Sequence, residues 1–417
     1  MNIRPLLLLV LILFSSIAYA QFLTDRIDTT NHLTISGYFQ PQYQVASKEG
    51  VKNYSGGDFS PSSNNRFMFR RSRLKVEYLN INDDQKPSSQ FVFQLDGTER
   101  GISIRDVWGR FFENKYELFS FTAGMFARPF SYEVNLSSSE RETPERGRMS
   151  QILMKTERDI GAMVSFEPRK KDHPLRYLKI DAGLFNGSGL TAPADYDSHK
   201  DFISRIGLKP YPLSKKIKFS IAASYLNGGI LQSTRYIYSL KEEQKFFRVD
   251  SSQTNLGKIA PRKYYGIDAQ LKIKNKAGFT ELRGEIITGK QTAFANTTET
   301  PAVLALPSEG LYIRKFNGAY FYFLQNIFND KNQIVIKYDW YDPNQSVSAK
   351  DIGKTGSNLT AADIRYSTLG FGFNHKVNAH AKITFWYDRI WNEKTNLPGY
   401  TTDIADNIFT CRLQFMF

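Results

Sequence analysis

Cysteine and histidine are both scarce in this sequence. The single cysteine, Cys411, cannot form an intramolecular disulfide, and it excludes a metal site that needs several cysteines. None of the five histidines stands beside a serine in a nucleophile elbow, and no two have the spacing of a paired-histidine metal motif. We therefore expect no catalytic centre and no cofactor.

The chain also lacks a long uncharged apolar run beyond residue 20. A bundle of membrane-spanning helices is excluded, because each such helix needs about 20 apolar residues. The run from Leu6 to Phe14 follows Arg4 and leads to Ala18-Tyr19-Ala20, which is typical of a secretory signal peptide and too short for an anchor. We predict a signal peptide over residues 1–20 and one exported domain over residues 21–417.

Tryptophan is rare, but 23 tyrosines and 32 phenylalanines raise the aromatic share to 14%. The mean hydropathy of −0.41 is nevertheless polar. A barrel strand combines both features, because lipid-facing and water-facing residues alternate along it and aromatic side chains gather at the membrane interfaces. This alternation is clear over residues 88–96, 263–275 and 333–341, and again in the last strand, which ends with Phe417.

The connections between these strands alternate between tight and long. Seven tight turns are predicted at residues 82–87, 113–115, 168–173, 211–214, 275–278, 329–331 and 377–378. Eight long loops are predicted at residues 46–64, 97–101, 127–158, 187–199, 228–262, 290–309, 343–362 and 392–403. The pattern predicts an all-β fold, a transmembrane antiparallel barrel of about 16 strands with short periplasmic turns and long extracellular loops. A barrel of this size leaves an aqueous channel.

Positive charge is in excess, with a net charge of +14. The densest cluster lies in the second strand, Arg66 to Tyr78. If its apolar side chains face lipid, Arg71, Arg73 and Lys75 form a column on the lumen wall, because lipid-facing charges near the midplane cost about 2–4 kcal/mol each. The same phasing places Arg70 on the outer face, near the rim. Such a column would attract anions, although contact with lipopolysaccharide phosphates is an alternative use of the charge.

The third long connection, Ala127 to Arg158, is the candidate constriction loop. It contains arginines and glutamates in similar numbers, so a purely positive throat does not follow. Ser137, Ser138 and Ser139 offer hydroxyl donors to a partly dehydrated oxyanion. Wall arginines that oppose loop acids would also suit a general porin without solute preference.

Several motifs between Arg66 and Val164 resemble the phosphate-selective porin O and P family. They are Arg70-Arg71, Phe91 to Asp96, Gly124 to Ser131, Ser137-Ser138 followed by Glu145-Arg146, and Arg158 to Gly161. The resemblance implies a homotrimer of sixteen-stranded barrels, each with an arginine-lined channel and an anion site at the third loop. It further implies wall arginines at Arg70 and Arg71, a constriction aspartate at Asp96, and loop donors at Ser137, Ser138 and Arg146. Ser139 replaces an expected basic residue, and the loop is richer in acids. These departures from the family pattern count against phosphate selectivity more than against a pore.

The sequence thus predicts a porin in the outer membrane of a Gram-negative bacterium, with passive diffusion of small inorganic anions such as phosphate or polyphosphate. Its other partners are expected to be outer-membrane lipid and lipopolysaccharide, and not nucleic acid. The alternatives are a diffusion porin without anion selectivity and, more remotely, a barrel enzyme. The predicted anion site comprises Arg70, Arg71, Arg73, Lys75, Asp96, Ser137, Ser138 and Arg146.

Overall fold

A computed structural model describes residues 31–187, 189–190, 195–299 and 308–417; the predicted signal peptide lies outside these ranges. The described residues form eighteen strands. They are β1 (Asn31–Ala46), β2 (Asn65–Ile81), β3 (Pro87–Thr98), β4 (Gly101–Phe112), β5 (Phe119–Ala127), β6 (Arg158–Phe166), β7 (Leu178–Phe185), β8 (Asp201–Pro212), β9 (Ile217–Leu231), β10 (Ile237–Lys241), β11 (Phe246–Asp250), β12 (Ile259–Asn275), β13 (Gly278–Ala293), β14 (Leu311–Asn326), β15 (Asn332–Asp342), β16 (Tyr366–Lys376), β17 (Ala381–Asn392) and β18 (Ile408–Met416).

Helical structure is confined to short segments in the described part of the chain. The two α-helices are α1 (Tyr132–Asn135) and α2 (Arg148–Leu153), and three 3-10 turns cover Gln253–Asn255, Ala349–Asp351 and Ala361–Asp363. Within the described ranges, no helix has the length and apolar character needed to cross a membrane.

Sixteen of the described strands form a closed antiparallel barrel. Consecutive strands pair from β1 to β9 and from β12 to β18, and β9 pairs with β12. The barrel closes where β1 pairs with β18, with Tyr38 opposite Met416 and Ala46 opposite Ile408. Because each of these sixteen strands has a partner on both sides, the barrel itself has no open edge. The sixteen-stranded antiparallel barrel predicted from the sequence is confirmed.

Side chains alternate between the inner and outer faces as expected. In β18, Phe409, Leu413 and Phe415 are exposed on the outer face, whereas Arg412 and Gln414 are buried inside. The outer face is strongly apolar elsewhere too; Ile102, for example, is 77% exposed. A continuous apolar band of this kind would cause aggregation in water, so it requires apolar surroundings.

Three connections differ from the sequence prediction. β3 and β4 are joined by only two residues, Glu99 and Arg100, because Gly97 and Gly101 belong to the strands and do not form a loop. The connection between β6 and β7, predicted as a tight turn, covers residues 167–177. The long connection after β9 contains its own hairpin of β10 and β11, whose first strand pairs in parallel with the start of β14.

That hairpin packs with residues 343–365 to form a folded unit at one end of the barrel, which we call the loop cap. The rings of Tyr238 and Tyr312 stack with centroids 4.2 Å apart, and Phe247 joins an apolar cluster with residues of the 343–365 connection. Arg314 is 1% exposed and donates to Asp363 Oδ1 at 2.9 Å. A buried ion pair and an aromatic cluster therefore fix the position of the loop cap.

Candidate functional site

The connection between β5 and β6, residues 128–157, folds into the barrel and crosses its lumen. We call it the lumen loop. On one side, the Ser138 and Tyr38 hydroxyls are 2.6 Å apart, which joins the loop to β1. On the opposite side, Ser131 donates to Glu285 of β13 at 2.8 Å. The loop predicted to form the constriction therefore contacts opposite walls and narrows the channel.

Glu133 holds the lumen loop in its folded shape. Its buried carboxylate accepts hydrogen bonds from the Gly147 N–H at 3.0 Å, the Ser150 hydroxyl at 2.6 Å and the Tyr322 hydroxyl at 2.5 Å. The first two donors belong to the loop and the third to the wall strand β14. A buried carboxylate with this many donors is well compensated for its loss of hydration, so Glu133 anchors α1 to α2 and both to the wall.

A β-bulge in β2 places two consecutive arginines on the lumen side. Phe39 of β1 pairs with Ser72 and Pro41 pairs with Phe69, so Gln40 alone faces both Arg70 and Arg71. A bulge of this kind interrupts the alternation by one residue. The strand phasing that placed Arg70 on the outer face was wrong, because uninterrupted alternation was assumed. Arg71, predicted on the lumen side, is there and is 6% exposed.

Both arginines bind one carboxylate of the lumen loop, together with a third arginine from the last strand. We call Arg70, Arg71 and Arg412 the arginine triad. Glu145 Oε1 lies 2.8 Å from Arg70 Nε and 2.8 Å from Arg412 Nη2, and Glu145 Oε2 lies 2.7 Å from Arg71 Nη2. Burial raises the pKa of Glu145, but the charges of the arginine triad outweigh burial and hold this pKa well below its usual range.

A second group joins the predicted residues Arg73, Asp96 and Ser138. Arg73 donates to Asp96 Oδ2 and to Ser138 Oγ, both at 2.9 Å. Arg105, which the sequence prediction did not include, also approaches Asp96 at 3.5 Å. The prediction therefore named three residues that the fold brings together from β2, β3 and the lumen loop.

The predicted loop donor Arg146 forms an ion pair. Its partner is Glu157, which also binds Arg105 and Arg158. Arg158 in turn lies 3.2 Å from Asp106. Arg146 is therefore held by a carboxylate that the sequence prediction did not assign to the site.

Two predicted site residues lie apart from these groups. Lys75 forms an ion pair with Glu77 two residues further along β2. The hydroxyl of Ser137 is 2.8 Å from that of Ser139, in an exposed part of the loop. Neither contacts the arginine triad or Asp96 in the described structure.

Positive charge exceeds negative charge within the linked group of ion pairs at the constriction. Among the described residues, the throat cluster contains seven arginines and four carboxylates joined by ion pairs. They are Arg70, Arg71, Arg73, Arg105, Arg146, Arg158 and Arg412, with Asp96, Asp106, Glu145 and Glu157. This leaves an excess of three positive charges, since arginine remains protonated in proteins.

Arg141 adds a further positive charge beside this cluster. It is 4% exposed, and its Nε and Nη1 atoms have no hydrogen-bond partner in the described structure. Burial and the charge of Arg71 lower the pKa of Arg141 to about 10 against the opposing effect of Glu145, so it stays charged at neutral pH.

A cavity of about 720 Å³ lies over the throat cluster. Arg70, Arg71, Arg73, Arg105 and Arg146 line it, so two arginines of the triad and the Asp96 group face the same space. A solute that reaches the constriction from this cavity therefore meets guanidinium groups held in place by carboxylates.

The sequence prediction did not include seven residues as site residues: Arg105, Asp106, Arg141, Glu145, Glu157, Arg158 and Arg412. Alternation placed Arg412 on the inner face of the last strand, but the strands that meet at the barrel seam are far apart in the chain. The loop acids were visible, but the sequence did not indicate which wall arginine each would bind.

The fold is similar to that of solved outer-membrane proteins. The outer membrane channel DcaP of Acinetobacter baumannii is 10% identical, with 94% of this chain and 98% of that chain covered and a TM-score of 0.52. OmpT of Vibrio cholerae, an outer membrane protein, is 8% identical, with 94% and 99% covered and a TM-score of 0.50. Its loop L8 deletion mutant is 9% identical, with 93% and 100% covered and a TM-score of 0.50.

No protein-family model and no curated protein matches the sequence. At identities this low the structural likeness shows the shared barrel fold, and function has to be argued from the site itself. Among the described residues, no group of three or more His, Cys, Asp or Glu side chains has the geometry to hold a metal ion.

Proposed function

We propose that this protein is an outer-membrane porin that allows small anions to diffuse through a water-filled channel. The observation that carries the proposal is the excess of arginine over carboxylate in the throat cluster, at the place where the lumen loop narrows the barrel. The apolar outer face supports a membrane location. The similarity to an outer membrane channel supports the same reading of the fold.

Charge selects solutes in such a pore because the field of fixed charges is focused between low-dielectric walls. An excess of three guanidinium charges, with Arg141 close by, raises the local concentration of anions and lowers that of cations. Each guanidinium also presents a planar fork of donors that fits carboxylate, sulfate or phosphate oxygens. Phosphate and polyphosphate are therefore among the proposed solutes.

The proposal extends to the cellular setting that the sequence indicates. It includes export through the signal peptide over residues 1–20 and insertion in the outer membrane of a Gram-negative bacterium. It also includes contact with lipid and lipopolysaccharide, and assembly as a homotrimer. It does not include catalysis. Mass spectrometry of the purified protein in detergent tests both the mature amino terminus and the number of subunits.

A second candidate is a general diffusion porin without anion preference. The observation in its favour is that each arginine of the throat cluster has a carboxylate partner, which weakens the field that a solute meets. We favour the anion channel over the general diffusion porin because the arginines of the throat cluster outnumber its carboxylates.

Planar-bilayer recording tests the proposal directly. Under a potassium chloride gradient, we expect a reversal potential that corresponds to chloride permeating better than potassium. We also expect a lower current when chloride is replaced by a large organic anion. A preference for potassium would reject anion transport, and equal permeability would favour the general diffusion porin.

A further inference from the structure

The carboxylate of Glu145 occupies the arginine triad in the way a dissolved oxyanion would. Arg70 donates to its two oxygens through Nε and Nη2 at 2.8 and 3.2 Å, and Arg71 does so through Nη1 and Nη2 at 3.1 and 2.7 Å. Arg412 adds a fifth hydrogen bond at 2.8 Å. Bidentate pairing of this kind is the usual mode by which arginine recognises carboxylate and phosphate groups.

We propose that the arginine triad is a binding site for doubly charged oxyanions such as sulfate, hydrogen phosphate or dicarboxylates, and that Glu145 is its internal competitor. An arriving oxyanion displaces the Glu145 side chain from the triad, and the side chain returns when the oxyanion leaves. This inference rests on the proposed anion channel, and it adds the competition by Glu145 and the reason for the weak affinity of the site.

Displacement requires only the side chain of Glu145 to move, because the backbone around it is anchored by hydrogen bonds that do not involve the Glu145 carboxylate. Thr143 Oγ1 donates to the Glu145 carbonyl at 2.8 Å, and Arg412 Nη1 donates to the Pro144 carbonyl at 2.6 Å. The Gly147 N–H is held by Glu133 at 3.0 Å. The lumen loop can therefore stay in place while the carboxylate changes partner.

Arg141 provides the second partner for that carboxylate. It belongs to the same loop as Glu145, it is buried, and its Nε and Nη1 atoms are without hydrogen-bond partners in the described structure. A displaced Glu145 side chain that turns toward Arg141 exchanges one set of guanidinium donors for another, so it is not left as an unpaired buried charge.

Glu145 keeps the affinity of the triad low, because a tethered carboxylate competes at a high effective concentration with any solute. Low affinity favours rapid release, which a diffusion channel needs in order to conduct. Removal of the carboxylate would leave three guanidinium groups facing one another and would convert the triad into a tighter anion site.

Sulfate block of the chloride current tests this inference, since sulfate keeps two negative charges over the usable pH range. The variant is Glu145→Gln, and the matched control is Glu142→Gln. Glu142 is a carboxylate of the same loop that binds Arg283 at 3.1 Å and does not contact the triad. We expect at least a tenfold lower half-blocking sulfate concentration in E145Q and less than a threefold change in E142Q. The conservative variant Glu145→Asp should lie between E145Q and the parent protein.

Conductance in concentrated potassium chloride shows whether the lumen loop has stayed in place, because high salt screens the charges and leaves pore width as the main determinant. If the lumen loop moves in E145Q, the half-blocking sulfate concentration of E145D is compared with that of the parent protein instead. The inference is overturned if E145Q leaves sulfate block unchanged, or if E142Q lowers the half-blocking concentration as strongly. Either result with an anion-selective parent protein leaves the proposed function intact, whereas a cation-selective parent rejects the proposed function itself.

Discussion

Arg70 and Arg71 are consecutive residues of β2, yet both side chains enter the lumen because the strand bulges opposite Gln40. Without the bulge, one of the two guanidinium groups would face the apolar exterior. The extra residue therefore doubles the positive charge that β2 presents to Glu145. It also creates the only pair of adjacent residues, within the described part of β2, that share the inner face.

Cysteine accessibility tests the bulge. In a Cys411→Ser background, we expect Arg70→Cys and Arg71→Cys both to react with a charged, membrane-impermeant thiol reagent and to change the single-channel current. Ser72→Cys, on the exposed outer face, should react at least tenfold more slowly, since the thiolate forms poorly in lipid. Similar reaction rates at residues 70 and 72, together with the opposite behaviour at residue 71, would mean that β2 has no bulge, because residues 70 and 72 share a face in uninterrupted alternation.

Loss of arginine from the throat cluster should shift selectivity toward cations. In Arg71→Ala and Arg146→Ala, carboxylate partners remain while guanidinium charges are lost, so the excess of positive charge falls. We expect the chloride-to-potassium permeability ratio to drop at least about twofold in the double variant. Arg389→Ala is the control, because Arg389 binds Asp403 outside the throat cluster. Unchanged selectivity in the double variant would exclude the cluster as the filter.

The loop cap should depend strongly on Arg314. Arg314→Met leaves Asp363 as an unpaired buried charge, which typically costs about 3–5 kcal/mol. We expect faster proteolysis within residues 343–365 while the barrel itself stays resistant. Lys315→Ala removes the exposed pair with Glu242, which lies 2.6 Å away, and should change cleavage little. Equal cleavage of the two variants would contradict a structural role for the buried pair.

Asp406 should make the region before β18 sensitive to pH. Burial raises the pKa of Asp406 to about 6, partly offset by the charge of Arg148. Because this folded-state pKa is above the unfolded value of about 3.9, ionisation of Asp406 destabilises the fold above pH 6, and this cost declines progressively as the pH falls from 6 to about 3.9. We expect Asp406→Asn to raise stability by about 1–3 kcal/mol at pH 7.5 and by about half as much at pH 5. Thermal unfolding in detergent at both pH values measures the difference; an equal gain at both would contradict the raised pKa.

The barrel could be predicted from the sequence because its rules are local. Each strand carries its own alternation, and the number of strands follows from the number of connections. Residues 263–275 show this clearly, since Ile267 is exposed and Asp268 is buried as the alternation requires. Errors arose where local signals mislead, as at Gly97 and Gly101, which resemble loop residues but belong to β3 and β4.

The site was predicted only in part because its contacts join distant segments. Arg71, Arg73, Asp96, Ser138 and Arg146 lie at contacts between the lumen loop and the wall or the end of the loop, and their role in anion binding stays a prediction. Their carboxylate partners in the lumen loop were not predicted, since pairing between loop and wall depends on how the lumen loop folds. The bulge left a signal that the phasing overlooked, because the exposed Phe67 and Phe69 are at odd positions whereas the exposed Leu74 and Tyr78 are at even positions.

The turn of Glu99 and Arg100 between β3 and β4 has only two residues, so no long loop rises above the barrel rim at this point. Both residues border the cavity above the throat cluster, whereas the loop cap rises on the part of the rim that includes β14. Solutes can thus approach obliquely, over the low side, and the first side chain of the turn to attract an anion is Arg100. Insertion of a few residues into this turn would partly cover the cavity. It would slow the entry of ions from outside without changing the residues of the throat cluster.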